Sequence, residues 1–226
     1  MNTLKRYGGC IAVSVLAHAL IYISLNSYPT STNSVYSVCF WGYILTYAVS
    51  PHKGEGDRWN WLCNHSYWKK IILSALPKAK ITSQAALNHN QHYIFAAFPH
   101  GTASVNHIMT MTDGLGFLSK IHQGERRDLA ASVLFYVPII REILLWLGNV
   151  DASSTTAKIH LNKKRSLLIF VGGEKEQLMT QPGMHRVFCK NRLGFVKLAL
   201  TYGAPLVPLY TFGENECYHI RYGKSI

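Results

Sequence analysis

Between Tyr7 and His52 the sequence contains no Asp, Glu, Lys or Arg. An uncharged block of that length argues for a lipid environment. Its first part, "YGGCIAVSVLAHALIYISL" (7–25), is 19 residues long. As a helix that is roughly 28 Å, close to the roughly 30 Å hydrocarbon core of a bilayer. The polar "NSYPTSTNS" (26–34) contains Pro29 and reads as a tight turn. A second apolar, aromatic-rich stretch, "VYSVCFWGYILTYAVS" (35–50), follows. Lys5 and Arg6 precede the block and Lys53 follows it, which places both ends in the cytosol by the positive-inside rule. The expected element is a membrane hairpin of two hydrophobic helices over residues 1–52, spanning or re-entrant. A cleaved signal peptide fits less well: no small-x-small cleavage site follows the first stretch, and a second apolar stretch comes at once.

Acidic residues are also scarce, 11 against 23 Lys and Arg. From Lys53 onward lie 21 of those basic residues and all 11 acidic ones, a net charge of +10. Next to a membrane anchor, that excess points to anionic headgroups or an anionic ligand. No zinc finger, basic zipper or RNA-recognition signature is present, so nucleic acid is not an expected partner and membrane lipids are. The five cysteines are scattered, with no Cys-x-x-Cys pair. That excludes a disulfide framework and agrees with a reducing cytosolic face. There is no Gly-x-Ser-x-Gly elbow, P-loop, Rossmann fingerprint or paired-carboxylate pattern. His89 and His92 have His-x-x-His spacing but no further ligands, so no metal site is expected.

What is present falls into order along the chain. "PHKGEGDRWNWLCNHSYWKK" (51–70) mixes Trp and Tyr with charges, as at a membrane–water interface, and 76–92 reads as a polar connector. Residues 53–92 are therefore an interfacial connector. From residue 93 short strands and helices alternate. Strand candidates are 93–98, 129–135, 166–171 and 205–210, all largely apolar, as expected of strands buried on both faces of a mixed or parallel sheet. Helix candidates are 139–147, 153–162 and 194–202. In the last, Phe195, Leu198, Ala199 and Tyr202 share one face, with Gly203 and Pro205 as stop signals. The fold class is α/β, a mixed sheet flanked by helices and preceded by the hairpin.

The first strand, "YIFAAF", runs into Pro99-His100-Gly101. In an open α/β sheet ligands bind beyond the carboxyl ends of strands, where His100 falls. Pro99 removes a ladder donor and Gly101 allows a close turn, so the imidazole projects from a fixed loop. An imidazole there can take a proton from an alcohol and return it to a leaving group. Arg141 and Glu142 interrupt two apolar runs and need partners or a function. Glu142 is a candidate to orient His100, or the two form a surface charge pair.

In sequence, "YIFAAFPHG" (93–101), "VPIIRE" (137–142), "IFVGG" (169–173), "PG" (182–183), "KNRLGFVKLAL" (190–200) and "LVPLYTFGENE" (206–216) resemble the type 2 diacylglycerol acyltransferase family, which includes monoacylglycerol and wax-alcohol acyltransferases. The resemblance implies a glycerolipid-acyltransferase-like fold over 93–226. It also implies an endoplasmic-reticulum membrane enzyme with its catalytic part facing the cytosol. Such an enzyme moves a fatty acyl group from acyl-CoA, a co-substrate with no further cofactor, to diacylglycerol, giving triacylglycerol. Monoacylglycerol and fatty alcohol are the other acceptors of the family, and a homo-oligomer is among the states left open.

The family's Pro-His-Gly histidine falls on His100, implying a general base. Phe98, Pro99, Gly101, Arg141, Arg192, Glu214, Asn215 and Glu216 are implied substrate-site residues. Basic residues 163–165, Arg186, Lys190 and Arg192 suit either CoA phosphates or a headgroup-facing surface. Animal members commonly read His-Pro-His-Gly; Phe98 replaces the first His and leaves His100 as the base. Family chains run on past the "GENE" block, which implies a domain shortened at its C-terminus and brings in a second reading, a non-catalytic binder of lipid or acyl-CoA. A lysophospholipid acyltransferase would carry Asp five residues after the His, where Val105 stands.

Overall fold

In a computed structural model the described residues are 40–45, 47 and 58–217. Residues 40–45 and 47 are helical, and the rest of the expected hairpin lies outside the described residues. Among the described residues no helix is long and apolar enough to cross a membrane.

Two short helices, α1 (Asn60–Cys63) and α2 (Tyr67–Ala75), lead to β1 (Ile94–Phe98) and α3 (Val105–Met111). A π-turn over Phe117–Ile121 precedes β2 (Arg126–Ala130) and a 3-10 turn, Ser132–Tyr136. There follow α4 (Ile140–Trp146), β3 (Asn149–Asp151), α5 (Ser154–Asn162), β4 (Ser166–Phe170) and α6 (Gly173–Met179). Helix α7 (Gly194–Tyr202) and strand β5 (Leu206–Tyr210) end in a 3-10 turn at Glu214–Glu216. The strands form one sheet ordered β3-β2-β4-β1-β5, and every pairing among the described residues is parallel, so the sheet they form is parallel and not mixed. The reason is connectivity: helical crossovers return the chain to the same end before each new strand.

Strand β1 sits between β4 and β5, so its residues are buried on both faces. Alternation sends Ile94 to one side, packed with Leu167, Ala157 and Leu161 of α5 and Ala199 of α7. It sends Phe95 and Ala97 to the other, with Leu168 and Phe117. Helix α7 starts and stops where expected, closed by Gly203 at φ 60°.

One expected strand is displaced. The apolar run places a strand at 129–135, but β2 starts earlier, at Arg126, and residues 132–136 form a 3-10 turn. The cause is a buried ion pair inside the strand. Arg126 donates from Nε to Asp128 Oδ1 at 2.7 Å and from a terminal nitrogen to Oδ2 at 2.9 Å, and both side chains are fully buried. The guanidinium lies 4.7 Å from the centroid of Phe117, which lets charge enter an aromatic core. Strand β3 went unpredicted because "NVD" carries a single apolar residue.

His122, 1% exposed, edges Phe95 at 5.0 Å in this core. Burial first, then the charges of Arg126 and Arg58, lower its pKa from 6.5 to about 4. An unfolded chain would therefore take up this proton before the folded one. The contribution is whole above pH 6.5 and falls away as the pH drops toward about 4. The expected loss is about 3 kcal/mol. The drop in Tm across that window should be smaller in His122→Phe than in wild type; equal drops would mean that His122 is not held neutral.

Candidate active site

The chain leaves β1 through a cis Phe98–Pro99 peptide and turns at Gly101 (φ 63°) and Ser104 (φ 50°) before α3 begins. Within this loop the His100 ring is fixed by its own neighbours. Its Nδ1 lies 3.0 Å from the Gly101 carbonyl and 3.0 Å from Ser104 Oγ, and the Ser104 hydroxyl lies 3.0 Å from the His100 carbonyl. Carbonyl oxygens only accept, so Nδ1 carries the hydrogen and Ser104 passes its own proton to the His100 carbonyl. The lone pair then belongs to Nε2. Ser104 Oγ lies 3.5 Å from Nε2, farther than from Nδ1, and a half-buried imidazole with its lone pair there can serve as a general base. The ring rests against Phe170, the last residue of β4, with centroids 5.3 Å apart. His100 thus lies beyond the carboxyl ends of two adjacent strands, as the strand-end rule predicts.

Two buried carboxylates hold the loop. Glu176, 4% exposed on α6, accepts the His100 N–H on one oxygen and the Phe188 N–H on the other, at 2.6 Å for the latter. A side chain at Gly172 would collide with that carboxylate, so the glycine before α6 is what admits it. Beside it, the Gln177 side-chain amide donates to the Thr102 carbonyl at 2.6 Å. Glu214, 3% exposed, accepts the N–H groups of Val105 (2.8 Å) and Asn106 (2.9 Å), the first turn of α3. Burial raises its pKa, and these two bonds oppose the rise. Asn106 ties the loop from a third side, donating to the Pro99 carbonyl at 3.0 Å.

The fit at Gly101 is close. A Cβ there would lie 2.5 Å from Glu214 Cγ and Oε1, at a φ of 63° that L side chains rarely adopt. Gly101→Ala should therefore destabilise the fold by at least about 1 kcal/mol. Thermal unfolding checks this; a variant as stable as wild type would mean that Glu214 does not pack on this turn.

Of the residues singled out in the sequence, Phe98, Pro99, His100, Gly101, Glu214 and Asn215 converge here. Asn215 is 4% exposed and donates to the Met184 carbonyl at 2.7 Å. Glu216 is exposed, and Arg192 is an exposed residue with its guanidinium 5.7 Å from the Phe188 centroid. Arg141 and Glu142 belong to a different cluster. Glu142 accepts from Tyr43 (2.7 Å), Tyr47 (2.9 Å), Arg141 Nε (2.7 Å) and the Ile139 N–H (3.0 Å). Arg141, 5% exposed, lies 3.4 Å from the Tyr47 ring centroid. None of the Glu142 hydrogen bonds reaches His100, so among the described residues the two are not joined.

Sequence reasoning missed Glu176 and the part played by Ser104. A usable signal was there: "VGG" leaves β4 at the same end of the sheet where Pro-His-Gly leaves β1. It also missed His107, whose Nε2 lies 3.0 Å from Asp128 Oδ2 and whose ring shares Phe170 with His100, at 5.2 Å. Beside Glu176 opens a cavity of about 200 Å³, lined by Met179, Met184, Val187 and Phe188 together with Arg186 and Asn215. Its wall is largely apolar, with a cation at Arg186 and the carboxylate that holds the His100 N–H at Glu176.

The family described as "Diacylglycerol acyltransferase" matches residues 28–224. Among curated proteins, "Diacylglycerol O-acyltransferase 2A" of Umbelopsis ramanniana is 33% identical over 180 residues, 78% of this chain and 50% of its own. "Diacylglycerol O-acyltransferase 2" of Homo sapiens is 36% identical over 190 residues, 80% of this chain and 47% of its own. "2-acylglycerol O-acyltransferase 3" of Homo sapiens is 30% identical over 212 residues, 92% of this chain and 59% of its own. The chain spans about half the length of the curated relatives it matches. No solved structure matches it.

Proposed function

The chain belongs to the diacylglycerol acyltransferase family, and on that premise we propose that it transfers a fatty acyl group from acyl-CoA to the free hydroxyl of diacylglycerol, giving triacylglycerol. The observation that carries this reading is the setting of the His100 ring, with Nδ1 3.0 Å from both the Gly101 carbonyl and the Ser104 hydroxyl, an arrangement that leaves the lone pair on Nε2. Nε2 takes the proton of the acceptor hydroxyl as that oxygen attacks the thioester carbonyl. The tetrahedral oxyanion then collapses, the carbon–sulfur bond breaks, and the imidazolium returns its proton to the departing CoA thiolate.

Glu176 and Glu214 are positioning residues in this scheme. They occupy the N–H groups of His100, Val105 and Asn106, so oxyanion stabilisation falls to other N–H groups of the loop, such as those of Gly101 and Thr102. The cavity beside Glu176 is small and largely apolar, suited to part of an acyl chain, and Arg186 and Arg192 stand near it for CoA phosphates. Exposed Trp41, Leu45, Ile139, Ile140, Ile143 and Trp146 form an apolar surface around the Glu142 cluster. That surface suits contact with lipid, and we place the protein at the endoplasmic-reticulum membrane with its site toward the cytosol.

The test is a microsomal assay in a host without neutral-lipid acyltransferases of its own, fed labelled acyl-CoA and one acceptor at a time. Triacylglycerol from diacylglycerol is the expected product. A dominant product from monoacylglycerol or fatty alcohol would reassign the acceptor. No product from any acceptor, at good expression, would overturn the enzyme reading in favour of a protein that binds lipid or acyl-CoA without turnover.

A further inference from the structure

The sheet has a second polar site at its other end. Arg127 is in register with Leu167, and Leu167 with Ile94, six positions before His100. At about 3.3 Å per residue the two ends lie roughly 20 Å apart. Here β2 opens into a cavity of about 580 Å³, lined in part by Arg58, His122 and Arg126.

Among the described residues, nothing satisfies at least one polar nitrogen on each of the three. Arg126 is fully buried. Asp128 and the Thr110 carbonyl hold its Nε and Nη2, while Nη1 has no partner among the described residues. Arg58 leaves Nε and Nη2 unpartnered, and His122, 1% exposed, leaves both ring nitrogens unpartnered. A buried polar group left so costs about 1–3 kcal/mol, and more when charged. Three such side chains facing one cavity are therefore unexplained by folding alone.

The acids that line the cavity do not neutralise them. Asp113 Oδ1 accepts the Ser119 N–H at 2.9 Å. Glu125, whose side chain is 62% exposed, pairs with Arg165 at 2.6 Å. The uncommitted donors are Nε and Nη2 of Arg58, which form a fork, and Nη1 of Arg126, with the neutral imidazole of His122 beside them. Forked donors of this kind match the several oxygens of a phosphate better than a single-atom anion. The volume leaves room for an organic substituent as well.

We propose that this cavity is a binding site for a phosphomonoester group, distinct from the site at His100. Its surroundings favour a lipid headgroup as the source. The cavity takes Asn60 and Asn64 from the α1 region, where Trp59 (46% exposed), Trp61 (63%) and, just beyond, Tyr67 (62%) form an exposed aromatic rim. Aromatic rings of this kind settle at the headgroup level of a bilayer, which would bring a phosphate to the cavity mouth. The innermost donor, Arg126, also holds Asp128 and, through it, His107 on the helix that follows the His100 loop.

The test is calorimetric titration of the full chain in neutral detergent with three probes: inorganic phosphate, glycerol 3-phosphate and dihexanoyl phosphatidate. Dihexanoyl phosphatidylcholine, a phosphodiester, is the control. Phosphatidate should bind at least tenfold more tightly than the control, and Arg58→Gln should weaken it at least tenfold. His122→Phe, which keeps the ring volume and removes the donors, gives a second readout should Arg58→Gln fold poorly. Binding of all three probes with the same sensitivity supports a soluble source; binding of phosphatidate alone supports the lipid source. No binding by any probe, or binding that neither variant weakens, overturns the proposal.

Discussion

His100→Ala is expected to lower acyl transfer by about 10²- to 10⁴-fold, the usual contribution of a positioned general base. In barrier terms that is about 3–5 kcal/mol. The fold should hardly notice. The ring is half-buried, and its hydrogen bonds and ring contacts among the described residues are with Gly101, Ser104 and Phe170. The loop itself is anchored through main-chain groups: Glu176 on the His100 N–H, Glu214 on the first turn of α3, Asn106 on the Pro99 carbonyl. None of these anchors needs the imidazole. Tm should therefore stay within a few degrees of wild type while product formation collapses, measured at equal expression. A variant that keeps more than a tenth of wild-type activity would remove His100 from the chemistry. A variant that loses activity and Tm together would recast it as a structural residue.

The strand–loop–helix unit around His100 was readable because local signals agreed. An apolar run, a proline that ends ladder donation and a glycine at positive φ all point to a strand exit with a projecting side chain, and β1 ends at Phe98. Helix α7 was readable for the same reason, with an apolar face and a glycine stop. Strand β2 was not. Its first three residues are charged, and apolar periodicity discards them; only pairing with His107 and with aromatic rings from elsewhere makes them a core. Glu142 falls between these cases. A charge between two apolar runs must have partners, and beside its neighbours Arg141 and Ile139 it has Tyr43 and Tyr47, separated from it by 99 and 95 positions. Nothing local to Glu142 names the two tyrosines. Glu176 is marked in the sequence only by the glycines at the exit of β4, because a carboxylate that accepts two main-chain N–H groups has no signature of its own in spacing or composition.

The largest expected loss of stability comes from the centre of that charged strand. Asp128 is fully buried. Burial alone would raise its pKa, yet the Arg126 guanidinium and the His107 hydrogen bond more than offset this and hold it well below its ordinary 3.8. The carboxylate therefore contributes stability above pH 3.8, and the contribution is lost only as the pH falls below that value. Asp128→Asn removes the charge but keeps the shape, leaving Arg126 as a buried cation with a neutral neighbour. Breaking a buried pair in this way costs about 3–5 kcal/mol. For a chain of this size that is roughly a 6–20 °C fall in Tm.

Replacing both partners together, as Arg126→Met with Asp128→Leu, should recover most of the loss, because the penalty belongs to the unpaired charge and not to the absence of the pair. A double variant no more stable than Asp128→Asn would show that the pair itself, and not its neutralisation, sustains the core. Activity should follow stability only in part. His107 sits one turn after Ser104, the residue that fixes the His100 tautomer. The double variant also deprives His107 of its carboxylate, so a stable fold with reduced turnover is the expected pairing, and it would place Asp128 among the groups that position the base.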